Sequence, residues 1–180
     1  MNKIIIGLVG EPASGKGTAV KYLEEKYGAS SHRFSNPLRD ILDRLHLKVD
    51  RKNMQDISIM LRNHFGQDLL AKIISQDAEN DSSKIIIVDG VRRPADIEYL
   101  KKLPEFKLVY ITTDMKTRYE RLIQRGENTD DNNKTFEQFV KEHDVETESN
   151  IPNIGKTADF KIDNSKGLEE LYAQIDSLIR

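Results

Sequence analysis

A glycine-rich stretch with one lysine follows the first apolar run of the chain and has the spacing of a phosphate-binding loop. Gly10, Gly15 and Lys16 fit the pattern G-x-x-x-x-G-K after a predicted strand and before a predicted helix. Glycines let backbone N–H groups turn inward around a phosphate, and the helix N-terminus adds a positive dipole end. Lys16 would reach the β- and γ-phosphates of a nucleotide. The alternative, a surface turn with a solvated lysine, is disfavoured by the strand–loop–helix order. The expected nucleotide-binding residues here are Gly10, Ala13, Ser14, Gly15, Lys16, Gly17 and Thr18.

A second candidate group follows another apolar run, in the stretch "IIIVDGVRRPADIEYL". Asp89 would lie at the carboxyl end of a buried strand, where ligands bind in open α/β sheets. A carboxylate there can hold Mg²⁺ through water. Arg92 and Arg93 follow closely, and guanidinium groups bind phosphate oxygens in a bidentate manner. A strand-end aspartate in a turn with solvated arginines is the alternative. Together with the glycine loop, the group indicates a second phosphate site.

The elements that must position these residues can be read from the apolar pattern. The runs at 4–9, 85–90 and 107–112 are continuous and rich in β-branched residues, as in parallel strands buried on both faces. Weaker strands are predicted at 158–163 and 32–35. Helical periodicity between the runs predicts an α/β fold, a three-layer sandwich with a parallel sheet of about five strands and helices on both faces. Residues 36–80 form a predicted insert of three helices, and the polar stretch 126–134 interrupts the last crossover.

Composition bounds the class of protein. A chain of 180 residues with 37% hydrophobic and 32% charged residues is expected to form one globular domain over 1–180. Its net charge of −2 gives no reason to expect a nucleic acid polymer or a membrane as partner. The absence of cysteine excludes disulfides and thiolate chemistry. We find no signal peptide, so the expected compartment is the cytoplasm. The histidines show no metal-ligand spacing: His32, His46, His64 and His143.

The glycine loop departs from the usual pattern, because Gly17 follows the lysine and the hydroxyl residue Thr18 comes one position later. With Pro12 earlier in the loop, "GKGT" resembles the nucleoside monophosphate kinases of the adenylate kinase type. The resemblance implies a P-loop kinase that uses ATP and Mg²⁺, with Thr18 contacting a phosphate. The expected metal-binding residues are Asp89, largely through water, and Thr18. Lys16 and Asp89 would then be catalytic.

The resemblance also suggests how the acceptor phosphate is held. "DG-x-x-R" in these kinases carries an arginine that grips this phosphate; Arg93 has the common spacing and Arg92 the spacing of some relatives, so both stay open. "FSNPLRDIL" places Arg39 where the family has another acceptor contact. Arg62 is a further candidate, with a solvated helix-face arginine as the alternative. We expect Arg39, Arg92 and Arg93 to face one cleft across from Lys16.

A lid is expected over about 125–156. The helix before it carries Arg118, Arg121 and Arg125, and the resemblance makes Arg121 and Arg125 catalytic, with Arg121 also stacking on adenine. The chain departs from the family because no arginine follows Arg125 until Arg180. Three lysines are candidate substitutes: Lys134, Lys141 and Lys156. In related kinases the turn after the last strand packs against adenine, which makes residues 164–166, and Asn164 first among them, candidate base contacts.

These patterns favour a kinase that transfers the γ-phosphoryl group of ATP to a small phosphorylated acceptor, such as a nucleoside or deoxynucleoside monophosphate. Dephospho-CoA is the main rival acceptor, although "FSNPLR" lacks the acidic D-x-D-like element usual in its kinases. A regulatory switch that binds ATP and hydrolyses it poorly is the alternative of another class. We expect a monomer or weak dimer.

Overall fold

The computed structural model describes residues 3–125, 135–142 and 146–179. Five parallel strands lie in the order β2-β3-β1-β4-β5. They span Ile4–Val9 (β1), Ser30–Arg33 (β2), Ile85–Asp89 (β3), Phe106–Thr112 (β4) and Phe160–Asp163 (β5). The expected sheet of five parallel strands with helices on both faces is confirmed.

Helices connect and cover the strands. They are α1 (Lys16–Tyr27), α2 (Asn36–Arg44), α3 (Arg51–Phe65), α4 (Leu69–Asn80), α5 (Pro94–Glu98), α6 (Met115–Arg125), α7 (Phe136–Glu142), α8 (Glu146–Gly155) and α9 (Leu168–Ile179), with a 3₁₀ turn at Leu100–Lys102. The insert between β2 and β3 contains three helices, as its periodicity predicts. Thr135 and Gln138 form a reciprocal cap before α7, since each backbone N–H donates to the other side chain, at 2.9 and 3.2 Å.

The strand residues alternate between two buried clusters. Ile5 and Val9 of β1 face a core that also contains buried residues of α2, α4 and α8. Ile6 and Leu8 face the opposite core, with α1 and α9. Because side chains of a strand point alternately to the two faces, a strand buried on both sides is continuously apolar. This is why the first three apolar runs lack polar alternation.

The order of the strands creates a crevice at the carboxyl edge of the sheet. β1 leads into α1 on one face, whereas β3 leads into α5, whose Ile97 belongs to the core of the other face. The two connections therefore diverge between neighbouring strands, which is the switch point where open α/β sheets bind ligands. Both candidate groups from the sequence, the glycine loop and Asp89, lie at this point.

The C-terminal part of the predicted lid packs into the core. Ile151 and Ile154 of α8 are 2% and 3% exposed and belong to the cluster with Ile5 and Val9. The polar stretch 126–134, with Lys134, and residues 143–145, with His143, lie outside the described residues, so the lid stays a prediction there. Within the described ranges, no helix has the length and apolar character needed to cross a bilayer.

Truncation of the insert's core should destabilise the fold. Ile74 of α4 is 0% exposed, so Ile74→Ala should lower the free energy of unfolding by about 2–5 kcal/mol through lost burial and a cavity. Ile59→Ala on α3, where Ile59 is 57% exposed, is the matched control and should change it by less than about 0.5 kcal/mol. Urea denaturation measures both, and equal losses would contradict the packing of the insert.

Candidate active site

A cleft of about 610 Å³ opens at the switch point between β1 and β3. Most of the residues predicted from the glycine loop and the following motifs line it. These are Gly10, Ala13, Gly15, Lys16, Gly17, Thr18, Asp89, Arg92, Arg121 and Asn164. Segments far apart in the sequence therefore meet at one edge of the sheet.

Three glycines of the loop, Gly10, Gly15 and Gly17, differ in the physical reason for having no side chain. A Cβ on Gly10 would overlap the carbonyl oxygen of Ile111, so the loop lies directly against β4. Gly15 has a φ of +108°, and its Cβ would overlap the side-chain amide of Asn164. A Cβ on Gly17 would meet nothing within 4 Å, because this residue faces the open cleft. Two of the glycines thus serve packing of the loop itself, and Gly17 leaves room for a ligand at the start of α1.

Lys16 lies over the loop that precedes it. Its Nζ donates hydrogen bonds to the carbonyl oxygens of Gly10, at 2.6 Å, and Glu11, at 3.1 Å. The ammonium group is therefore held at the mouth of the loop, where the N-terminus of α1 also directs its positive dipole end. This arrangement concentrates positive potential at the position expected for the phosphates of a nucleotide.

Ser14 differs from its neighbours in the loop. It is 0% exposed and does not line the cleft, and its predicted part in nucleotide binding stays a prediction. Its N–H donates to the carbonyl of Glu11, at 3.1 Å, and closes a turn inside the loop. Its own carbonyl accepts a hydrogen bond from Nδ2 of Asn164, at 2.9 Å. Ser14 therefore holds the loop from behind.

Asn164 connects three parts of the site. Its backbone N–H donates to Thr112 of β4, at 2.8 Å, and its carbonyl accepts from Nη2 of Arg121, at 2.9 Å. The residue is only 3% exposed, and its amide is directed toward Ser14. Its contacts make Asn164 an anchor of the phosphate loop, and the contact with the adenine base that the family resemblance implies stays a prediction.

Arg121 has an unused hydrogen-bonding group beside the cleft. Nη1 is buried and has no hydrogen-bond partner among the described residues. The bond from Nη2 to Asn164 fixes the guanidinium plane, so Nη1 is oriented in advance for an anion or a base. Arg118, one turn earlier, is 4% exposed and lies 5.8 Å from the ring of Phe139, which gives it a packing role. The side chain of Arg125 lies outside the described residues, so its catalytic role stays a prediction.

Asp89 is suited to a divalent cation. Oδ1 is buried with no hydrogen-bond partner among the described residues, and Oδ2 lies 3.5 Å from Nε of Arg33. Carboxylate and hydroxyl oxygens are the ligands that Mg²⁺ prefers, and Thr18 contributes a hydroxyl to the same cleft. Among the described residues no cluster of three metal-ligating side chains occurs, so phosphate oxygens and water would have to complete the coordination.

The sequence left both Arg92 and Arg93 as candidates for the acceptor contact, and the structure places their side chains differently. Arg92 lines the cleft and Arg93 does not. Arg93 instead caps α5, whose buried Asp96 accepts the N–H groups of Arg92 and Arg93, at 3.0 and 2.9 Å. Burial raises the pKa of Asp96, and the two N–H groups and the nearby charge of Arg62 oppose that shift. The buried carboxylate thus fixes the loop that presents Arg92.

Arg62 serves the same loop from the insert. Its Nη1 donates to the carbonyl of Gln67, at 2.7 Å, and its Nη2 lies 3.9 Å from Asp96. Burial lowers the pKa of Arg62, and the charge of Asp96 opposes the shift. Arg62 does not line the cleft, so neither the acceptor contact nor the solvated alternative describes it.

Arg39 also lies outside the cleft, which corrects the expectation that it converges with Arg92 and Arg93. α2 buries Leu38 and Leu42, so Arg39, about 100° further round the helix, is exposed. The predicted helix is present, but the arginine position that the family uses lies on its exposed face.

Arg33 is a charged cleft residue that sequence reasoning missed. The strand predicted at 32–35 is observed at Ser30–Arg33, so Arg33 lies at its carboxyl end instead of inside it. Register pairs Arg33 with Asp89 on the neighbouring strand. A strand end beside the "DG" element was the available signal, and the two-residue shift in the predicted strand concealed it.

Glu11 is a second residue without a predicted role. It is 8% exposed, and Oε1 accepts a hydrogen bond from the hydroxyl of Tyr110, at 2.7 Å. Burial raises the pKa of Tyr110; the Thr112 hydroxyl opposes that shift and the hydrogen bond to Glu11 adds to it. The ring of Tyr110 also packs closely against Gly155 at the end of α8. A Cβ added to Gly155 would lie only 2.7 Å from the ring, so a larger residue does not fit there. Through this pair, the phosphate loop contacts the C-terminal end of the predicted lid.

The sheet order and the phosphate loop define the P-loop fold of kinase-like proteins. A family model described as an AAA domain matches residues 9–138, and the chain belongs to this family. The UPF0200 protein of Sulfurisphaera tokodaii is 30% identical over 176 residues, which cover 98% of this chain and 96% of the relative. The UPF0200 protein of Staphylothermus marinus is 30% identical and covers 96% of this chain and 89% of the relative.

Solved structures show the same fold. Shikimate kinase from Bacteroides thetaiotaomicron has a TM-score of 0.65 at 15% identity, and the match covers 97% of this chain and 96% of the shikimate kinase chain. An uncharacterized protein from Eubacterium ventriosum has a TM-score of 0.61 at 19% identity, and the match covers 98% of this chain and 96% of that protein. The P-loop kinase-like class expected from the sequence is therefore confirmed at the level of fold, and the adenylate kinase type is not distinguished from its neighbours.

The anchoring role of Asn164 predicts a loss that does not depend on the base. Asn164→Ala leaves the Ser14 carbonyl without its donor, so affinity for ATP and for inorganic tripolyphosphate should fall by the same factor, about tenfold. Ser165→Ala, at an exposed position in the same turn, is the control. Isothermal titration measures both ligands, and a loss confined to ATP would show that Asn164 contacts the base.

Proposed function

We propose that the protein is an ATP-dependent kinase that transfers the γ-phosphoryl group to a small phosphorylated acceptor, a nucleoside or deoxynucleoside monophosphate. One observation carries the proposal. Along the carboxyl edge of the sheet, Arg33 ends β2, Asp89 ends β3 and the Lys16 loop follows β1, in the spatial order β2-β3-β1. A carboxylate suited to Mg²⁺ therefore stands between a phosphate loop and a second group of cations.

The balance of charge in the cleft supports two phosphorylated ligands. Among the described residues, Asp89 is the one acidic side chain that lines the cleft. Four cationic side chains line it as well: Lys16, Arg33, Arg92 and Arg121. Like charges so close repel one another unless anions lie between them. The chain as a whole has a net charge of −2, so this excess of positive charge is local. Arg33, at the end of β2, lies on the side of Asp89 away from the phosphate loop, where a second phosphorylated ligand would be held.

Each residue has a physical task in the transfer. Backbone N–H groups of the loop and the Lys16 ammonium hold the β- and γ-phosphates, and Arg33 and Arg92 hold the acceptor phosphate in line with them. The bond from the γ-phosphorus to the bridging oxygen of ADP breaks as an acceptor phosphate oxygen bonds to the γ-phosphorus. Asp89 and the hydroxyl of Thr18 would hold a Mg²⁺ ion, which would supply positive charge to the phosphate oxygens. Arg121 stabilises charge developing near the leaving group.

A turnover screen tests the proposal against its alternatives. ADP release from ATP is followed with each nucleoside monophosphate, each deoxynucleoside monophosphate, dephospho-CoA, and shikimate, the ligand of a structural neighbour from Acinetobacter baumannii. Strong stimulation by a monophosphate supports the proposed acceptor. Stimulation by dephospho-CoA or shikimate alone replaces the acceptor and retains the kinase, whereas ATP binding without stimulation by any acceptor favours a regulatory switch.

Lys16 should be needed for transfer and contribute little to the fold. Lys16→Ala should lower turnover with the best acceptor by about 10²–10³, because the charge on the transferring group loses its partner. Lys21→Ala on the same helix, whose side chain is 74% exposed, is the control and should keep normal turnover. Coupled ADP release and thermal melting are measured together. Near-normal turnover of Lys16→Ala would refute the phosphate-loop assignment.

Arg33, and not Arg39, should govern use of the acceptor. Arg33→Ala should raise the acceptor KM roughly 10- to 100-fold through loss of a charged hydrogen bond, with little change in the KM for ATP. Arg39→Ala, on the exposed face of α2, should leave both constants close to those of the wild type. Initial-rate kinetics with each substrate varied measure the effect. Equal losses for ATP and acceptor in Arg33→Ala would place Arg33 in the donor site.

A further inference from the structure

The contact between Arg33 and Asp89 joins two groups with different proposed tasks. Nε of Arg33 lies 3.5 Å from Oδ2 of Asp89, at the paired ends of β2 and β3. The Arg33 side chain is 53% exposed and the Asp89 side chain 15%. The arginine can therefore leave the contact into open cleft, whereas the carboxylate is held in place by its strand.

The fold does not need this ion pair. The end of β2 is already fixed by backbone pairing, including the N–H of Phe34, which donates to the carbonyl of Asp89 at 3.2 Å. Ion pairs with a half-exposed partner stabilise proteins little, because water screens the charges. The pair nevertheless reduces the negative potential at Asp89, the carboxylate best suited to a cation. It is thus weak enough to exchange partners and close enough to affect what Asp89 binds.

We propose that Arg33 couples acceptor binding to metal binding at Asp89. Without an acceptor, the guanidinium pairs with Asp89 and weakens its attraction for a cation. A phosphate on the acceptor side offers Arg33 two or three charged oxygens and draws it away, which restores the full charge of Asp89. The inference rests on the proposed function, since it assumes that a second phosphate binds beside Arg33. It gives Arg33, which holds the acceptor phosphate, a second task, because the same side chain limits use of ATP when no acceptor is present.

The expected size of the coupling follows from the exposure of Arg33. Coupling between two sites commonly changes affinity by about 5- to 150-fold, and a half-exposed pair belongs at the low end of that range. Coupling is reciprocal, so a cation bound at Asp89 should strengthen acceptor binding by the same factor. We expect about a fivefold effect in each direction.

Metal binding can be measured without turnover. Mn²⁺ serves as a paramagnetic probe, a non-hydrolysable ATP analogue saturates the phosphate loop, and inorganic phosphate represents the acceptor. In the wild type, phosphate should tighten Mn²⁺ binding about fivefold. Arg33→Ala should bind Mn²⁺ without phosphate as tightly as the wild type does with it, and phosphate should add nothing further. Arg44→Ala, an exposed arginine at the end of α2, is the matched control and should behave like the wild type.

Two further variants keep the experiment decisive. Arg33→Lys retains the charge without the planar fork and should retain a smaller coupling, which also covers the case in which Arg33→Ala folds poorly. Asp89→Asn should abolish the effect of phosphate on Mn²⁺. An unchanged fivefold effect in Arg33→Ala, or no effect of phosphate in the wild type, overturns the coupling.

The outcomes also separate this inference from the proposed function. Coupling through Arg33 in a protein that no acceptor stimulates would support the inference and overturn the kinase. Turnover of a monophosphate with identical Mn²⁺ affinities in the wild type and Arg33→Ala, with and without phosphate, would support the kinase and overturn the coupling.

Discussion

The site depends on the hydrogen bond from the Asn164 side chain to the carbonyl of Ser14. The phosphate loop has few side chains with which to hold itself, because its backbone must remain free for a ligand. Asn164 supplies the support from behind, at 2.9 Å, and can approach so closely only because residue 15 lacks a Cβ. The same residue bonds to β4 and accepts a hydrogen bond from Arg121. Loop, sheet and the arginine of α6 are thereby fixed relative to one another.

A second buried polar group performs the corresponding task on the side of the cleft where Arg92 lies. Asp96 is 3% exposed and accepts two backbone N–H groups from the loop after β3. Leaving the buried carboxylate without these two donors would cost at least about 1–3 kcal/mol, so the bonds hold the carboxylate and the loop together. Arg62, from the insert, adds a positive charge near it. The insert therefore contributes to the site by holding the loop that carries Arg92, and its exposed Arg39 takes no part in the cleft.

These contacts explain which parts could be predicted from the sequence. The strands, the three helices of the insert and the phosphate loop follow from local patterns, namely apolar runs, helical periodicity and glycine spacing. Asp89 follows too, because the end of a strongly apolar strand is easy to locate. The arginines were harder, since their long side chains find partners decided by tertiary packing. Arg62 and Arg93 belong to the surroundings of Asp96, and a shift of two residues in a weak strand concealed Arg33.

The order of the strands explains why few acidic groups suffice in this cleft. Because β3 lies between β2 and β1, one carboxylate at its end is a neighbour both of the phosphate loop and of Arg33. A carboxylate at the end of β2 would not adjoin the phosphate loop. Only the central position lets one carboxylate lie beside both the loop and the Arg33 guanidinium. The parallel sheet sets this electrostatic relation before any ligand binds, and under the proposed coupling the half-exposed Arg33 side chain is the part that would respond.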